Sequence, residues 1–298
     1  MNTIGFIGQG WIGKHYADDF EARSFTVVRY SLEEPYVQNK AKISECDIVF
    51  VAVPTPTTAD GFSYAPVRDA LSIITPGSTV VIKSTLYPGT TKSLQKEFPH
   101  LFVMHSPEFL REAHAAHDAA NPERNLIGLP EDTEAFRVRA QEVLHVLPRA
   151  PYERIMSAYD AEMVKYAGNC FLYTKVVFMN ILYDLVMCGG GDWEVFRDAL
   201  INDPRIGASH TEPIHTSGHD SGDSKQKRGA GGHCFIKDFE AFRRLTLDQI
   251  QDHGDVHEFL YAMTKYNNRL LQDSGKDVDL LSGVFGEELL PQTPDMLR

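Results

Sequence analysis

Apolar residues fall along this chain in two different rhythms. In the first half, short apolar runs alternate with stretches of helical periodicity. Residues 3–7 are apolar and end in Gly8-Gln9-Gly10-Trp11-Ile12-Gly13, after which a helical pattern runs to about Glu21. Residues 25–30 read as a second strand. Residues 47–53 (DIVFVAV) form a continuous apolar run, as expected of a strand covered on both faces. Residues 65–74 read as a helix, 78–83 and 101–105 as short strands, and 125–128 as a further strand before a helix over about 132–147. This alternation predicts a doubly wound parallel sheet of Rossmann type.

The second half changes character. Residues 157–188 carry one helical pattern without proline, about 48 Å long at the helical rise. Its apolar residues (Met163, Phe171, Val176, Val177, Met179, Ile181, Leu182, Leu185) go most of the way round, so the helix is expected to be buried on several faces. That predicts a homodimer through this helix. Gly189-Gly190-Gly191 ends it, and a short helix follows over 193–201. Residues 209–232 are rich in Gly, Ser and His and read as a mobile loop. Helices resume over 235–245 and 256–271, and the tail after Gly275 is weakly patterned. The expected class is therefore α/β, a Rossmann-type N-terminal domain (1–150) followed by a helical domain built on one long helix (151–298).

The chain's 298 residues suffice for two hydrophobic cores. Its net charge of −12 argues against a nucleic-acid or acidic-membrane partner. The N-terminus enters a strand pattern at once, leaving no room for a signal peptide. The most apolar helix is interrupted by Lys165, Asn169, Lys175 and Asp184, so no membrane span and a cytoplasmic location are expected. The four cysteines fit neither a zinc site nor a disulfide scaffold; Cys46, Cys170 and Cys188 read as core residues. His210, His215, His219 and His233 have no ordinary ligand spacing, and no metal is expected. Lys225, Lys227 and Arg228 read as a solvated charge run or, more sharply, as a clamp for a substrate pyrophosphate.

Gly8, Gly10 and Gly13 stand between a strand and a helix, the context that marks a dinucleotide fingerprint. The first glycine allows the tight turn, the second lets the backbone approach the pyrophosphate, and the third permits close helix–strand packing. The N–H groups of Trp11 and Ile12, opening the helix, then face the phosphates. An acidic residue is expected at the end of the second strand, but Arg29-Tyr30-Ser31 stands there. Glu33 or Glu34 could reach back to the ribose, favouring NAD; alternatively Arg29 and Ser31 could accept a 2′-phosphate, favouring NADP. NAD is the expected cofactor.

Four further segments hold clusters of reactive side chains: Val53-Pro54-Thr55-Pro56, Ile82-Lys83-Ser84-Thr85, the run from Ser106 through Glu112, and Gly231-Gly232-His233-Cys234-Phe235-Ile236-Lys237-Asp238. The first two follow strand C-termini, where open α/β sheets bind ligands. With them the chain closely resembles the UDP-glucose/GDP-mannose dehydrogenase family. The stretches that carry the resemblance are GFIGQGWIG, DIVFVAVPTPT, VVIKSTLYPGTT, SPEFLREA, NPERNLIG, AEMVKYAGNCFLYTKVVFMN, DPRIG and GGHCFIKD, in the family's order.

The resemblance implies that Cys234 is the nucleophile, that Lys165 and Asn169 line the reacting carbon, that Asp238 handles water and protons, and that Thr85 and Glu108 position water. It places Val53, Thr55, Thr85, Glu112, Lys237 and Ser31 at the cofactor, and Glu108, Phe109, Leu110, Arg111, Glu112, Lys165, Asn169 and Gly231 at a nucleotide-sugar substrate. The implied chemistry oxidises a primary alcohol to a carboxylate with two NAD+. A thiolate turns the intermediate aldehyde into a thiohemiacetal that can give up a second hydride, and the resulting thioester is hydrolysed. Lys165 and Asn169 would stabilise the oxyanions. Cys234 sits at a predicted helix N-terminus near Lys237, and both features lower a thiol pKa.

The chain departs from the family in three ways. It stops about 60 residues after Cys234, so a short form lacking the C-terminal UDP-binding domain is expected. The segment between the second and third strands is compressed. The glycine loop before the cysteine carries an insertion at about 210–228. Two other readings compete: a two-electron 3-hydroxyacid dehydrogenase, which needs no cysteine, and an NAD-binding protein without turnover.

Overall fold

The computed structural model of the chain describes residues 3–111, 114–217 and 227–290. They form two compact units, one of Met1–Pro56 and Phe62–Lys165, the other of Thr57–Gly61 and Tyr166–Arg298.

The first unit is built on β1 (Ile4–Ile7), α1 (Trp11–Ala22), β2 (Val27–Tyr30), α2 (Lys40–Ile43) and β3 (Ile48–Val51). The chain then passes through two small strands, β4 (Thr57–Thr58), which falls in the second unit, and β5 (Gly61–Phe62), at the boundary. In the first unit there follow α3 (Ala65–Leu71), β6 (Thr79–Ile82), α4 (Thr90–Glu97), β7 (Phe102–His105), α5 (Ala115–Ala120), β8 (Arg124–Leu129), α6 (Glu134–Val146) and β9 (Tyr152–Ser157). Seven strands make one sheet in the order β2-β1-β3-β6-β7-β8-β9. The reversal of direction at β1 is the switch point of a doubly wound sheet. Every residue of β1, β3 and β6 is buried. Side chains alternate between two cores: Ile48 and Phe50 face one with Phe6, Phe20 and Val143, while Val49 and Val51 face the other with Ile82, Leu71 and Leu94.

Two features differ from the all-parallel expectation. β7 and β8 pair antiparallel, with His105 opposite Gly128, and β8 then pairs parallel with β9. The β7–β8 connection carries the short six-residue helix α5, which packs beside α1, and the chain returns against the direction of β7. The edge strand β9 escaped the sequence pattern because its residues are partly or fully exposed rather than apolar. A Cβ on Gly128 would lie 2.8 Å from the Ala158 Cα. Glycine there lets the first turn of α7 (Ala158–Cys188) sit directly on β8.

That first turn also closes the N-terminus of α4. Glu162 is fully buried, and its carboxylate accepts the N–H groups of Gly89 (2.6 Å) and Thr91 (2.8 Å) and the Thr91 hydroxyl (2.6 Å). These donors favour the charged form, but burial outweighs them and pushes the carboxyl up to about 7.

The second unit consists of α7 from Tyr166 onward, α8 (Trp193–Ile201), α9 (Gly232–Gln249), α10 (Gly254–Ser274) and α11 (Val278–Phe285). Cys170, Tyr173, Val176 and Val177 of α7 pack with Phe239 and Leu260, and the rings of Tyr173 and Phe239 stack at 3.9 Å. Ile236, Leu271, Leu281 and Val284 form a smaller core that makes a helix of the weakly patterned tail. The other face of α7 is exposed and apolar: Phe171 (68% exposed), Phe178 (53%) and Leu185 (65%) recur every seventh residue. By length and composition α7 could cross a membrane, its most apolar window reaching a mean hydropathy of 1.5 with a third of it buried. Every 18-residue window of the helix includes Lys175, one of the polar residues read as interrupting it, and the stretch is apolar enough despite that charge. Cys46 and Cys170 are core residues, but Cys188, at the end of α7, is exposed.

The cap on α4 generates a pH prediction. Between about pH 4.5 and 7 folded Glu162 keeps a proton that the unfolded chain has released, so its contribution to stability falls as pH rises through that window. Glu162→Gln cannot ionise. The stability of the natural chain minus that of the variant, from urea unfolding, should be larger at about pH 5 than at about pH 8; equal differences would refute the assignment.

Candidate functional site

The glycine turn shows why two of its glycines are needed and what the third leaves open. Gly8 adopts a left-handed φ of 91°, and a Cβ there would lie 2.3 Å from the Ala52 carbonyl oxygen. A Cβ on Gly13 would lie 1.9 Å from the Gly8 carbonyl oxygen, so α1 and the turn touch backbone to backbone. Gly10, the N-cap of α1, meets nothing within 4 Å and supplies no side-chain cap. The first N–H groups of the helix, at Trp11 and Ile12, therefore start from an open backbone face, the cradle a pyrophosphate needs. Trp11 is half exposed, and Ile12 leans on the core. Residues of this turn fit a dinucleotide.

At the end of β2 the substitute for the expected acid is occupied elsewhere. Arg29 is buried and binds Glu21 through two nitrogens (2.9 and 2.7 Å) and Asp18 (2.7 Å). These carboxylates raise its pKa against the effect of burial. A guanidinium so committed is not available to a 2′-phosphate, which removes the main support for NADP. Ser31 donates to the Glu33 carbonyl (2.9 Å) and accepts its N–H (3.3 Å).

Loops after β3 and β6 lock together. Val53 N–H donates to Ser84 Oγ (3.0 Å), which donates back to the Val53 carbonyl (2.7 Å), and Thr55 donates to the Thr85 carbonyl (2.7 Å). After β7, Glu108 is buried and accepts the Leu110 N–H (2.8 Å) and the Lys165 ammonium (2.7 Å); Lys165 also reaches the Glu108 carbonyl (2.9 Å). Phe109 lies under the Arg124 guanidinium at 3.7 Å. Arg111 is exposed and binds Asp118, whose carboxyl it holds well below the usual range. Glu112 lies outside the described residues.

Sequence reasoning assigned no role to a second buried cation beside this pair. Lys83 donates to Ser106 Oγ (2.9 Å) and faces the Tyr16 ring at 4.6 Å. Burial pushes its ammonium down to about 7, with Glu108 pulling the other way. Burial, helped by the charge of Lys83, pushes His105 down to about 3, with the Ile82 backbone pulling the other way. A lysine closing an otherwise apolar strand (STVVIK) was the available signal.

In the second unit, the Asn169 amide donates to the buried Asp238 carboxylate at 2.6 Å. Lys237 pairs with the other oxygen of Asp238. Cys234 is exposed in the first turn of α9, one turn before Asp238. Gly231 is the N-cap of that helix. Thus the structure brings Asn169, Lys237 and Asp238 together in one unit, and Glu108 and Lys165 in the other.

The described part of the charge run is not solvated. Arg228 binds Asn180 (2.9 and 3.1 Å) and Asp184 (2.8 Å), and Lys227 is buried on the Gly275 carbonyl. Both cations fix the loop, which corrects the surface reading and leaves neither as a pyrophosphate clamp. Lys225, His219 and the rest of residues 218–226 of the predicted mobile loop lie outside the described residues. The loop's base is ordered by a bridge between Ile214 and Arg228. Among the described residues no metal-binding group of three or more ligands occurs.

Comparison with known proteins gives a consistent picture. Residues 35–146 match the profile of the UDP-glucose/GDP-mannose dehydrogenase family's NAD binding domain, and residues 159–269 match that family's central domain. A UDP-glucose 6-dehydrogenase of Bacillus subtilis (strain 168), YwqF, is 30% identical over 276 residues, 85% of this chain and 58% of the relative. The chain thus spans under two thirds of that relative's length. The solved UDP-glucose dehydrogenase of Pyrobaculum islandicum superposes with a TM-score of 0.75 at 25% identity, covering 90% of this chain and 69% of that one. A 3-hydroxyisobutyrate dehydrogenase of Mycobacterium tuberculosis shares the fold at a TM-score of 0.66 and 16% identity, over 96% of this chain and 98% of that one.

The glycine turn is testable. Gly13→Ala must push α1 off the Gly8 carbonyl, and should cost about 1–3 kcal/mol in urea unfolding and weaken NADH binding followed by fluorescence. Unchanged unfolding and binding would refute the backbone contact.

Proposed function

The chain belongs to the UDP-glucose/GDP-mannose dehydrogenase family, and from that premise we propose that it oxidises the primary alcohol of a nucleotide sugar to the uronic acid through a covalent adduct on Cys234. The observation that supports this most is an exposed cysteine in the first turn of α9, one turn before a buried carboxylate that holds the Asn169 amide.

The turn from Gly8 to Gly13, with Val53, Thr55 and Ser31, would hold NAD+, and two molecules bound in succession would each accept one hydride. The first oxidation takes the alcohol to the aldehyde. Cys234 thiolate then adds to the aldehyde carbon, forming a C–S bond and an alkoxide that Lys165 and Asn169 stabilise by charge and hydrogen bond. Loss of the second hydride leaves a thioester. Water, positioned by Thr85 and Glu108, adds to its carbonyl; the C–S bond breaks, the acid departs, and the thiol is restored. Asp238, through its bond to Asn169, keeps the amide oriented and accepts protons released in these steps. For each sugar, two NAD+ and one water are consumed and two NADH are formed.

We read the apolar stripe of α7 as the seam of a homodimer rather than a membrane span, since its heptad spacing suits a second helix. On this reading the protein is cytoplasmic. The likeness to a 3-hydroxyisobutyrate dehydrogenase, spanning nearly the whole of both chains, supports a second reading, a two-electron oxidation of a 3-hydroxyacid that does not need the cysteine.

One experiment separates them. The purified chain is incubated with NAD+ and UDP-glucose, GDP-mannose or N-acetylated UDP-hexosamines, or with a 3-hydroxyacid. Two NADH per sugar are expected, and Cys234→Ser should lower acid formation by about a thousandfold or more. Full NADH formation by the variant from a 3-hydroxyacid would establish the second reading. No NADH from any compound would leave a cofactor-binding protein without turnover. Separately, Phe178→Glu should convert the dimer to a monomer in light scattering; a natural chain already monomeric would refute the seam.

A further inference from the structure

The backbone leading into Cys234 is held by side chains from α10 and the turn that follows it. Asn267 pairs with both groups of Ala230, accepting its N–H (2.7 Å) and donating to its carbonyl (3.0 Å). Lys276 donates to the Gly229 carbonyl (2.9 Å) and contacts His215 Nε2 (3.0 Å). Asp277 accepts the Gly232 N–H on one oxygen (2.7 Å) and the Ser217 hydroxyl on the other (2.6 Å). Asn267, Lys276 and Asp277 are all at least 98% buried.

The first turn of α9 has no side-chain cap of its own, because its N-cap is Gly231. A Cβ on Gly231 would lie 2.1 Å from Asp277 Oδ2 and 2.9 Å from the Lys276 Cε. The missing side chain is the space through which an outside carboxylate enters. Asp277 itself holds a left-handed φ of 49°, a conformation uncommon for a non-glycine residue and kept only where surrounding contacts enforce it. Gly232, whose N–H it takes, is two residues before Cys234 and has a φ of 83°. Lys227 adds a bond to the carbonyl of Gly275, next to the clamp.

We infer that Asp277, backed by Lys276, is the external N-cap of α9 and acts as a positioning residue for Cys234. The functional half of this inference rests on the covalent role proposed for that cysteine. A helix start that carries a nucleophile cannot place a bulky capping residue beside it without filling the approach to the thiol. A carboxylate reaching in from behind satisfies the helix end and leaves the thiol side open. Geometry of this kind matters because a misplacement of about 1 Å can cost about a hundredfold in rate.

The test uses the full chain with Asp277→Ala, Asp277→Asn and Ser217→Ala. Asp277→Ala should lower kcat by about tenfold to a hundredfold while leaving the KM for NAD+ within about twofold. Asp277→Asn should restore most of it, because the amide oxygen still accepts the Gly232 N–H and Ser217 can accept the new N–H. Hydrogen exchange gives a readout that does not need turnover: amides of 231–235 should exchange about tenfold faster in Asp277→Ala and near the natural rate in Asp277→Asn. Should Asp277→Ala not fold, Ser217→Ala, which removes one bond to the same carboxylate, should still speed exchange at Gly232 severalfold. Natural exchange in both Asp277→Ala and Ser217→Ala, or an Asp277→Asn variant as impaired as Asp277→Ala, would overturn the clamp. Absence of nucleotide-sugar oxidation by the natural chain would instead defeat the reading of Cys234, while the exchange arms would still decide the cap.

Discussion

A buried ammonium cannot stand alone, and the contact between Lys165 and Glu108 is the constraint around which the loop after β7 is built. Both side chains are about 6% exposed and meet at 2.7 Å. Removing one partner from such a pair typically costs about 3–5 kcal/mol, because the other charge is stranded. The pair therefore ties the loop after β7 to the start of α7 and fixes where the ammonium points. Glu108 reaches that position because its second oxygen takes the Leu110 N–H, which pins the loop that carries it. In the second unit the Asn169 amide is oriented by a carboxylate, Asp238, that also carries the Lys237 charge. In each unit a buried carboxylate fixes a polar nitrogen in one orientation, Lys165 through Glu108 and Asn169 through Asp238, and the oxyanion role proposed for both nitrogens would draw on that fixed geometry.

The same demand for pairing explains what the sequence could and could not reveal. Fully buried strands announce themselves as unbroken apolar runs, so β1, β3 and β6 were legible from composition alone. The glycine turn was legible because two of its three positions are forced by contact with backbone: a methyl group at Gly8 or Gly13 has nowhere to go. The family resemblance rested on motifs of this kind, in which close approach or chemistry leaves little freedom.

What was hidden is whatever depends on partners distant in sequence. Arg29 looked like a phosphate ligand because the pattern gives its place at a strand end but not the carboxylates of α1 across from it. Lys227 and Arg228 looked like surface charge because three neighbouring cations usually are; their partners at Gly275, Asn180 and Asp184 lie 44 to 48 residues away. β9 was missed for the converse reason. An edge strand has one unpaired side and little need of apolar side chains, so its pattern is weak. The reversal at β8 depends on where the short α5 docks, which no local periodicity encodes.

These hidden contacts share a direction. Asn267, Lys276, Asp277, Lys227 and Arg228 all act on the loop that enters α9, and all draw on α10, the turn after it, or α7. A glycine-rich loop loses more conformational entropy on ordering than any other kind of backbone. Left to its own side chains, Gly229-Ala230-Gly231-Gly232 has none that could hold it. Order must therefore be imposed from outside, by side chains that bond to its carbonyl and N–H groups. That imposes a sequence pattern of its own: small residues where the loop passes, and long or acidic residues on the elements behind it. The loop's glycines and the buried Lys276-Asp277 pair are thus two halves of one solution, in which space beside Cys234 is kept free and rigidity is supplied from the far side.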